Sequence, residues 1–202
     1  LKHGVIVVSD EIHSDFVYPG HRHHVFANLG PEYADISVTC TAPSKTFNLA
    51  GLQISNIIIS NPGLRRKFLK AVASAGYSQA NLMGIVACQA AYESGEEWLS
   101  GLKEYLYENL NFVRDYLKEK LPEIKLIEPE GTYLLWLDFR NLNLTETERE
   151  RLIVEKAGLW LDSGAMFGQA GDGFERINIA CPRKTLERAL DQLEKAIHFQ
   201  RK

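Results

Sequence analysis

Two short runs of β-branched and aliphatic residues constrain this chain most, because each breaks off abruptly into residues that carry chemistry. Val5-Ile6-Val7-Val8 leads into Ser9-Asp10-Glu11-Ile12-His13, and Ile36-Ser37-Val38-Thr39-Cys40-Thr41 leads into Ala42-Pro43-Ser44-Lys45. Runs of this kind read as buried strands, over residues 4–9 and 36–41. If both belong to one parallel sheet, Asp10 and Lys45 emerge at the same edge. In open α/β sheets that edge is where ligands bind.

A lysine in this position has two readings. It is a solvated loop residue, as most lysines are, or a partly desolvated amine that has lost proton affinity and attacks carbonyls. The acid favours the second. A carboxylate facing a lysine-bound pyridine ring is what a pyridoxal phosphate (PLP) site requires: the lysine holds the aldehyde carbon, and the acid keeps the ring nitrogen protonated so that the ring acts as an electron sink. Asp10 has its own plainer reading as a helix N-cap at a strand-to-loop junction, and Glu11 reads as a structural neighbour.

Ser9-Asp10-Glu11-Ile12-His13, followed by Ser44-Lys45-Thr46-Phe47-Asn48-Leu49-Ala50-Gly51-Leu52, resembles the class I/II aminotransferase superfamily, the fold-type I PLP enzymes. Gly164-Ala165-Met166-Phe167-Gly168 and Phe174-Glu175-Arg176-Ile177-Asn178-Ile179-Ala180-Cys181-Pro182-Arg183 extend the likeness in the family's order and spacing, over essentially all of the chain. Within the superfamily it is most similar to the MalY/PatB branch of cystathionine β-lyases. The resemblance implies PLP as cofactor, Lys45 as the residue joined to it and as the base at the substrate's Cα, and Asp10 as partner of the ring nitrogen. It also implies that Arg176 grips the substrate α-carboxylate, for which a guanidinium fork is well shaped; a strand-edge surface arginine is the plainer reading. His13 stands where most of the superfamily has a tyrosine that bonds the cofactor's phenolic oxygen. Gln53 stands where many relatives clamp the phosphate with arginine, and gives only a neutral hydrogen bond. Ala42 replaces a serine. Phosphate contacts from this chain are then expected from Thr41, Ser44 or Gln53. These departures favour the lyase branch over an ordinary transaminase.

At 202 residues and 45% hydrophobic content, one domain or one and a half with an ample core is expected. A formal net charge of −3 gives no reason to expect nucleic acid or an acidic membrane as partner. Cys40, Cys88 and Cys181 are widely spaced and form no CxxC pair, which suits free thiols in a reducing cytoplasm; Cys88 reads as core. The longest weakly polar run, Asn81 to Tyr92, is too short to span a bilayer. His13, His21, His23 and His24 invite a metal reading. No helical or strand period puts them on one face, and no metal site is expected.

Further along, residues 54–60 read as a third strand. Asn61-Pro62-Gly63 opens an amphipathic helix with Leu64, Phe68, Leu69 and Val72 on one stripe. An apolar helix over 80–95 precedes a long charged helix over 96–121, a candidate domain bridge, with Leu99, Leu102, Leu106, Leu110, Phe112, Val113 and Leu117 as its seam. After Pro122, strands are expected over 125–127, 132–139, 159–161 and 175–180, with Thr145-Glu146-Thr147-Glu148 capping a helix to Lys156 and a last helix over 185–198. The fold class expected is α/β: part of a large PLP-binding domain with a mainly parallel sheet over 1–119, then a small α+β domain over 120–202. Leu1-Lys2-His3-Gly4 resembles a helix tail with a glycine stop, and the resemblance makes this chain the C-terminal half of a longer enzyme, incompetent by itself and dimeric in full-length form. The activity implied is a carbon–sulfur β-lyase that takes a small amino acid such as cystathionine and releases a thiol, pyruvate and ammonia. The alternatives are an aminotransferase and a non-catalytic domain that keeps the fold.

Overall fold

The computed structural model describes residues 1–77 and 79–200. It divides into two compact units, Leu1–Gly101 and the remainder from Leu102. The first unit holds a three-stranded sheet of β1 (Val7–Asp10), β2 (Ser37–Thr41) and β3 (Asn56–Ile58) in that order. β1 and β2 run parallel, with Asp10 beside Cys40, and β3 runs antiparallel to β2. A short helix α1 (Pro31–Asp35) precedes β2, and α2 (Pro43–Thr46) follows it directly. α3 (Pro62–Ser74) starts as its sequence dictates: Pro62 occupies the first turn, and the Asn61 side chain accepts bonds from the Gly63 and Leu64 amides at 2.8 and 3.0 Å. Asn81 caps α4 (Leu82–Ser94) in the same way through the Met83 amide.

Several elements differ from what their sequence predicts. β1 begins at Val7 and is no buried strand: Val8 is 66% exposed, because β1 is the edge of its sheet and alternate side chains face solvent. β3 is confined to 56–58, the stretch that reaches β2. The apolar run of α4 leaves Leu82, Met83, Ile85 and Val86 exposed, and Cys88 is half-buried rather than core. Along α3, Leu64, Phe68 and Val72 are half-buried as the stripe predicts, whereas Leu69 faces outward.

α5 (Glu96–Lys120) begins in the first unit and continues into the second. Its seam buries Leu106, Leu110, Val113 and Leu117, together with Asn109, which is wholly inaccessible. Asn109 is satisfied there. Its amide donates to the Ile179 and Cys181 carbonyls at 2.8 and 3.1 Å, and its oxygen accepts from Arg183 Nε at 2.8 Å. The second unit contains an antiparallel sheet of β4 (Lys125–Ile127), β5 (Leu134–Asp138), β6 (Asp162–Ser163) and β7 (Phe174–Asn178), in the order β4-β5-β7-β6. Its core is built on Leu135, Leu137, Ile177 and Ile179, with Leu186, Leu190 and Leu193 from α7 (Arg183–Gln200). α6 (Glu146–Glu150) opens with the expected reciprocal cap between Thr145 and Glu148, then widens into a π-type turn over Arg151–Lys156. The strand expected at Leu159-Trp160-Leu161 is absent. Trp160 is 89% exposed, and the residues that pair with β7 are Asp162 and Ser163.

Candidate active site

The residues singled out by the sequence fall into two groups, one in each unit. In the first, the parallel register sets Asp10 and Cys40 side by side at the carboxyl ends of their strands. The Asp10 carboxylate is exposed and is oriented by the Ile12 amide, which donates to Oδ1 at 3.2 Å. Burial, and then the charge of Asp10, push the Cys40 thiol above its ordinary range. Thr41 ends β2, Ala42 is extended, and Pro43 then starts α2, which carries half-buried Ser44 and exposed Lys45. Proline sets the first helical dihedral, so the turn bearing the lysine is fixed by residues next to it in sequence.

Several neighbours hold this edge together. Thr46, fully buried one residue after Lys45, donates to Asp15 Oδ2 at 2.6 Å and so ties α2 to the loop that follows Asp10. Glu11 is buried and accepts from Ser9 Oγ at 3.0 Å and the Phe26 amide at 3.1 Å, with His23 Nε2 at 2.9 Å. Asn56 donates to Thr41 Oγ1 at 3.4 Å and to the Tyr92 hydroxyl at 3.1 Å. His13 is half-buried with its ring 6.2 Å from that of Phe16. Gln53 is exposed in the left-handed conformation, at φ +50°, as the cap of the turn Ala50–Leu52. His24 accepts from Arg22 Nε at 3.2 Å, and no group of three or more His, Cys, Asp or Glu among the described residues could hold a metal ion.

The Glu11 cluster makes stability pH-dependent. Burial alone would raise the Glu11 carboxyl, but the bonds from His23, Phe26 and Ser9 outweigh it and leave the group below its ordinary value of 4.5. A depressed carboxyl stabilises the fold above its unfolded value, and that contribution is lost as pH falls through the folded one. The thermal midpoint should therefore drop as pH falls from about 5 to about 3. In Glu11→Gln the midpoint should be lower at neutral pH and less steep in acid; equal acid slopes in the two proteins would remove Glu11 from the account.

The second group surrounds Arg176 on β7. Arg176 lies opposite Trp136 of β5 and Asp162 of β6. Its Nε and Nη2 both donate to Asp162 Oδ2, at 3.0 and 2.8 Å, and its guanidinium lies over the Phe167 ring at 4.7 Å. Trp136 meets Phe167 edge-on at 5.7 Å and stacks on Phe174 at 5.4 Å; Arg140 covers Phe174 in turn. The turn carrying Phe167 begins at Gly164, where a side chain would run into the Gly171 carbonyl. On the opposite face of β7, Glu175 is buried in a bond with Arg149 Nε at 2.8 Å, and Arg149 also reaches Asp172 at 3.0 Å.

A family model described as aminotransferase class I and II matches residues 1–193. The chain belongs to that family. This class I and II aminotransferase family member is 43% identical over 197 residues to cystathionine β-lyase PatB of Bacillus subtilis, covering 98% of this chain and 51% of PatB. It is 35% identical to protein MalY of Escherichia coli, covering 97% of this chain and 50% of MalY. The crystal structure of cystalysin from Treponema denticola, which contains pyridoxal 5′-phosphate, superposes with a TM-score of 0.94 at 40% identity, over 96% of this chain and 50% of cystalysin. The chain thus spans about half the length of the relatives it matches. No described helix is long and apolar enough to cross a membrane.

Sequence reasoning missed Asp15, Asn56, Asp162 and Phe167 as neighbours of the candidate residues. Only Phe167 lay in a quoted motif. The others act through contacts between residues distant in sequence, which leave no local pattern.

Proposed function

We propose that the whole protein is a PLP-dependent carbon–sulfur β-lyase that releases a thiol, pyruvate and ammonia from cystathionine or a related cysteine conjugate. The observation that carries this reading is the register of β1 and β2, which sets the Asp10 carboxylate at the sheet edge from which α2 presents Lys45. The donor set fits the cofactor. It offers a carboxylate for a pyridine nitrogen, an amine for an aldehyde, and the Thr41 and Ser44 hydroxyls with the Gln53 amide for a phosphate. Similarity to PatB supports lyase chemistry over transamination.

When bound, PLP supplies an electron sink for charge developing at the substrate's Cα. Asp10 holds the proton on the ring nitrogen. The Lys45 amine takes the proton from Cα, so a thiol can leave from Cβ. Arg176 takes the α-carboxylate. His13 takes the place of the usual tyrosine near the ring oxygen. Residues 1–119 belong to the cofactor domain with α5 as bridge, and residues 120–202 form the small domain. A cytoplasmic homodimer is the working form, and the exposed apolar residues of β1 and α4 are surfaces for the rest of the protein or its partner to cover.

The test is to incubate the whole, PLP-loaded protein with cystathionine and follow pyruvate, with and without an added 2-oxo acid. Pyruvate release independent of the oxo acid is expected. Amino-group transfer that depends on the oxo acid would favour the aminotransferase reading, and inactivity with no bound cofactor would favour a non-catalytic domain. Asp10→Asn should keep the cofactor and lose most turnover, because a neutral amide cannot hold the proton on the ring nitrogen as a carboxylate does; near-normal turnover would remove Asp10 from the mechanism.

A further inference from the structure

We infer that Asp162 is the residue that orients Arg176 for its ligand. The inference rests on the proposed role of Arg176 in taking an α-carboxylate. A guanidinium has two edges able to meet a carboxylate side by side, one through Nε and an Nη, the other through both Nη atoms. Asp162 occupies the first edge with a single oxygen, Oδ2, which accepts from Nε at 3.0 Å and from Nη2 at 2.8 Å. Phe167 lies against the flat face of the group at 4.7 Å. One edge and one face are thereby fixed, and the edge formed by the two Nη atoms is presented in a defined plane.

This pair is a poor stabiliser of the fold. Its side chains are 31% and 41% exposed, and an ion pair so open to solvent contributes little to stability. Its geometry matters more. Asp162 is on β6 in direct register with Arg176 on β7, so the bond is set by backbone pairing rather than by a flexible loop. Preorganising one edge removes rotamer freedom that a ligand would otherwise have to remove on binding. A small amino acid is held through a single carboxylate, so this freedom weighs on its affinity directly.

The inference predicts different behaviour for two substitutions. Asp162→Asn keeps an oxygen able to accept from Nε and Nη2, and should bind as the wild type within about twofold. Asp162→Ala frees the guanidinium. In the whole, PLP-loaded protein, calorimetric titration with L-alanine should give a dissociation constant about tenfold higher for Asp162→Ala. L-alaninamide, which lacks the carboxylate, should bind both variants and wild type alike. With a cysteine conjugate, the fall in kcat/KM should come mainly through KM. Circular dichroism and thermal melting of each variant report whether the fold is retained. If Asp162→Ala binds L-alanine as well as or better than wild type, Asp162 is only a counter-charge and the inference is overturned. Equal weakening in Asn and Ala overturns it too, because charge and not orientation would then be responsible. If the wild-type protein binds no amino acid at all, the proposed function fails and takes this inference with it.

Discussion

In the whole protein, Lys45→Ala should abolish thiol release. Proton transfer by a positioned base contributes about 10²–10⁴-fold, and the same amine is proposed to hold the cofactor covalently. Loss of both roles places the variant at the limit of detection. Two measurements check it. Turnover of a cysteine conjugate should vanish while the thermal midpoint of the cofactor-free protein stays near wild type, because Lys45 is exposed and packs into no core. Borohydride reduction followed by mass spectrometry should find the cofactor's mass on the wild-type peptide containing Lys45 and on no peptide of the variant. A reduced adduct that persists in Lys45→Ala would assign the linkage elsewhere and undo the reading of this turn.

The largest effect on stability is expected at Arg149. Its side chain and that of Glu175 are 3% and 4% exposed and are joined at 2.8 Å. Desolvating two charges is costly, and their attraction offsets that cost only while both are present. Arg149→Met leaves Glu175 buried beneath β7 with no opposite charge beside it, so a loss of about 3–5 kcal/mol is expected. Against a whole-domain stability of about 5–15 kcal/mol, this is enough to unfold much of the second unit at 37 °C. Denaturant titration of the variant should show it. The double variant Arg149→Met with Glu175→Leu should recover much of the loss, since an apolar pair of similar volume is tolerated where a lone charge is not. A midpoint for Arg149→Met within error of wild type would show that Glu175 accepts a proton at little cost.

What the sequence revealed and what it concealed divide along physical lines. Helix starts at Asn61 and Thr145 were readable, because caps are local chemistry. The α5 seam was readable because a helix repeats its buried face at a fixed period. The acid and the lysine stood out because one ends an apolar run and the other follows one; the parallel register of β1 and β2 sets Asp10 beside Cys40, at the end of β2 that leads into the turn carrying Lys45. Exposure was not readable. Val8 and Trp160 have the side chains of core residues, yet what an edge strand or loop faces depends on its neighbours in space. The β6 pairing at Asp162 and Ser163 was missed for a related reason: a two-residue strand has no periodicity. Asn109, Thr46, Arg149 and Glu175 are buried polar residues whose partners lie 15 or more positions away, a class of contact that no pattern of hydrophobicity encodes.

The Thr46–Asp15 bond carries a consequence for how the first unit fluctuates. α2 is four residues long, far below the length at which a helix sustains itself. Beside Pro43, which sets its first dihedral, α2 is tied through Thr46 and Asp15 to the loop that follows β1, a loop the Glu11 cluster also holds. Segments that order each other open together, as one cooperative element with one opening free energy. The loop after Asp10 and the turn carrying Lys45 are therefore expected to open together, and a substitution that loosens either should lower the amide protection of both.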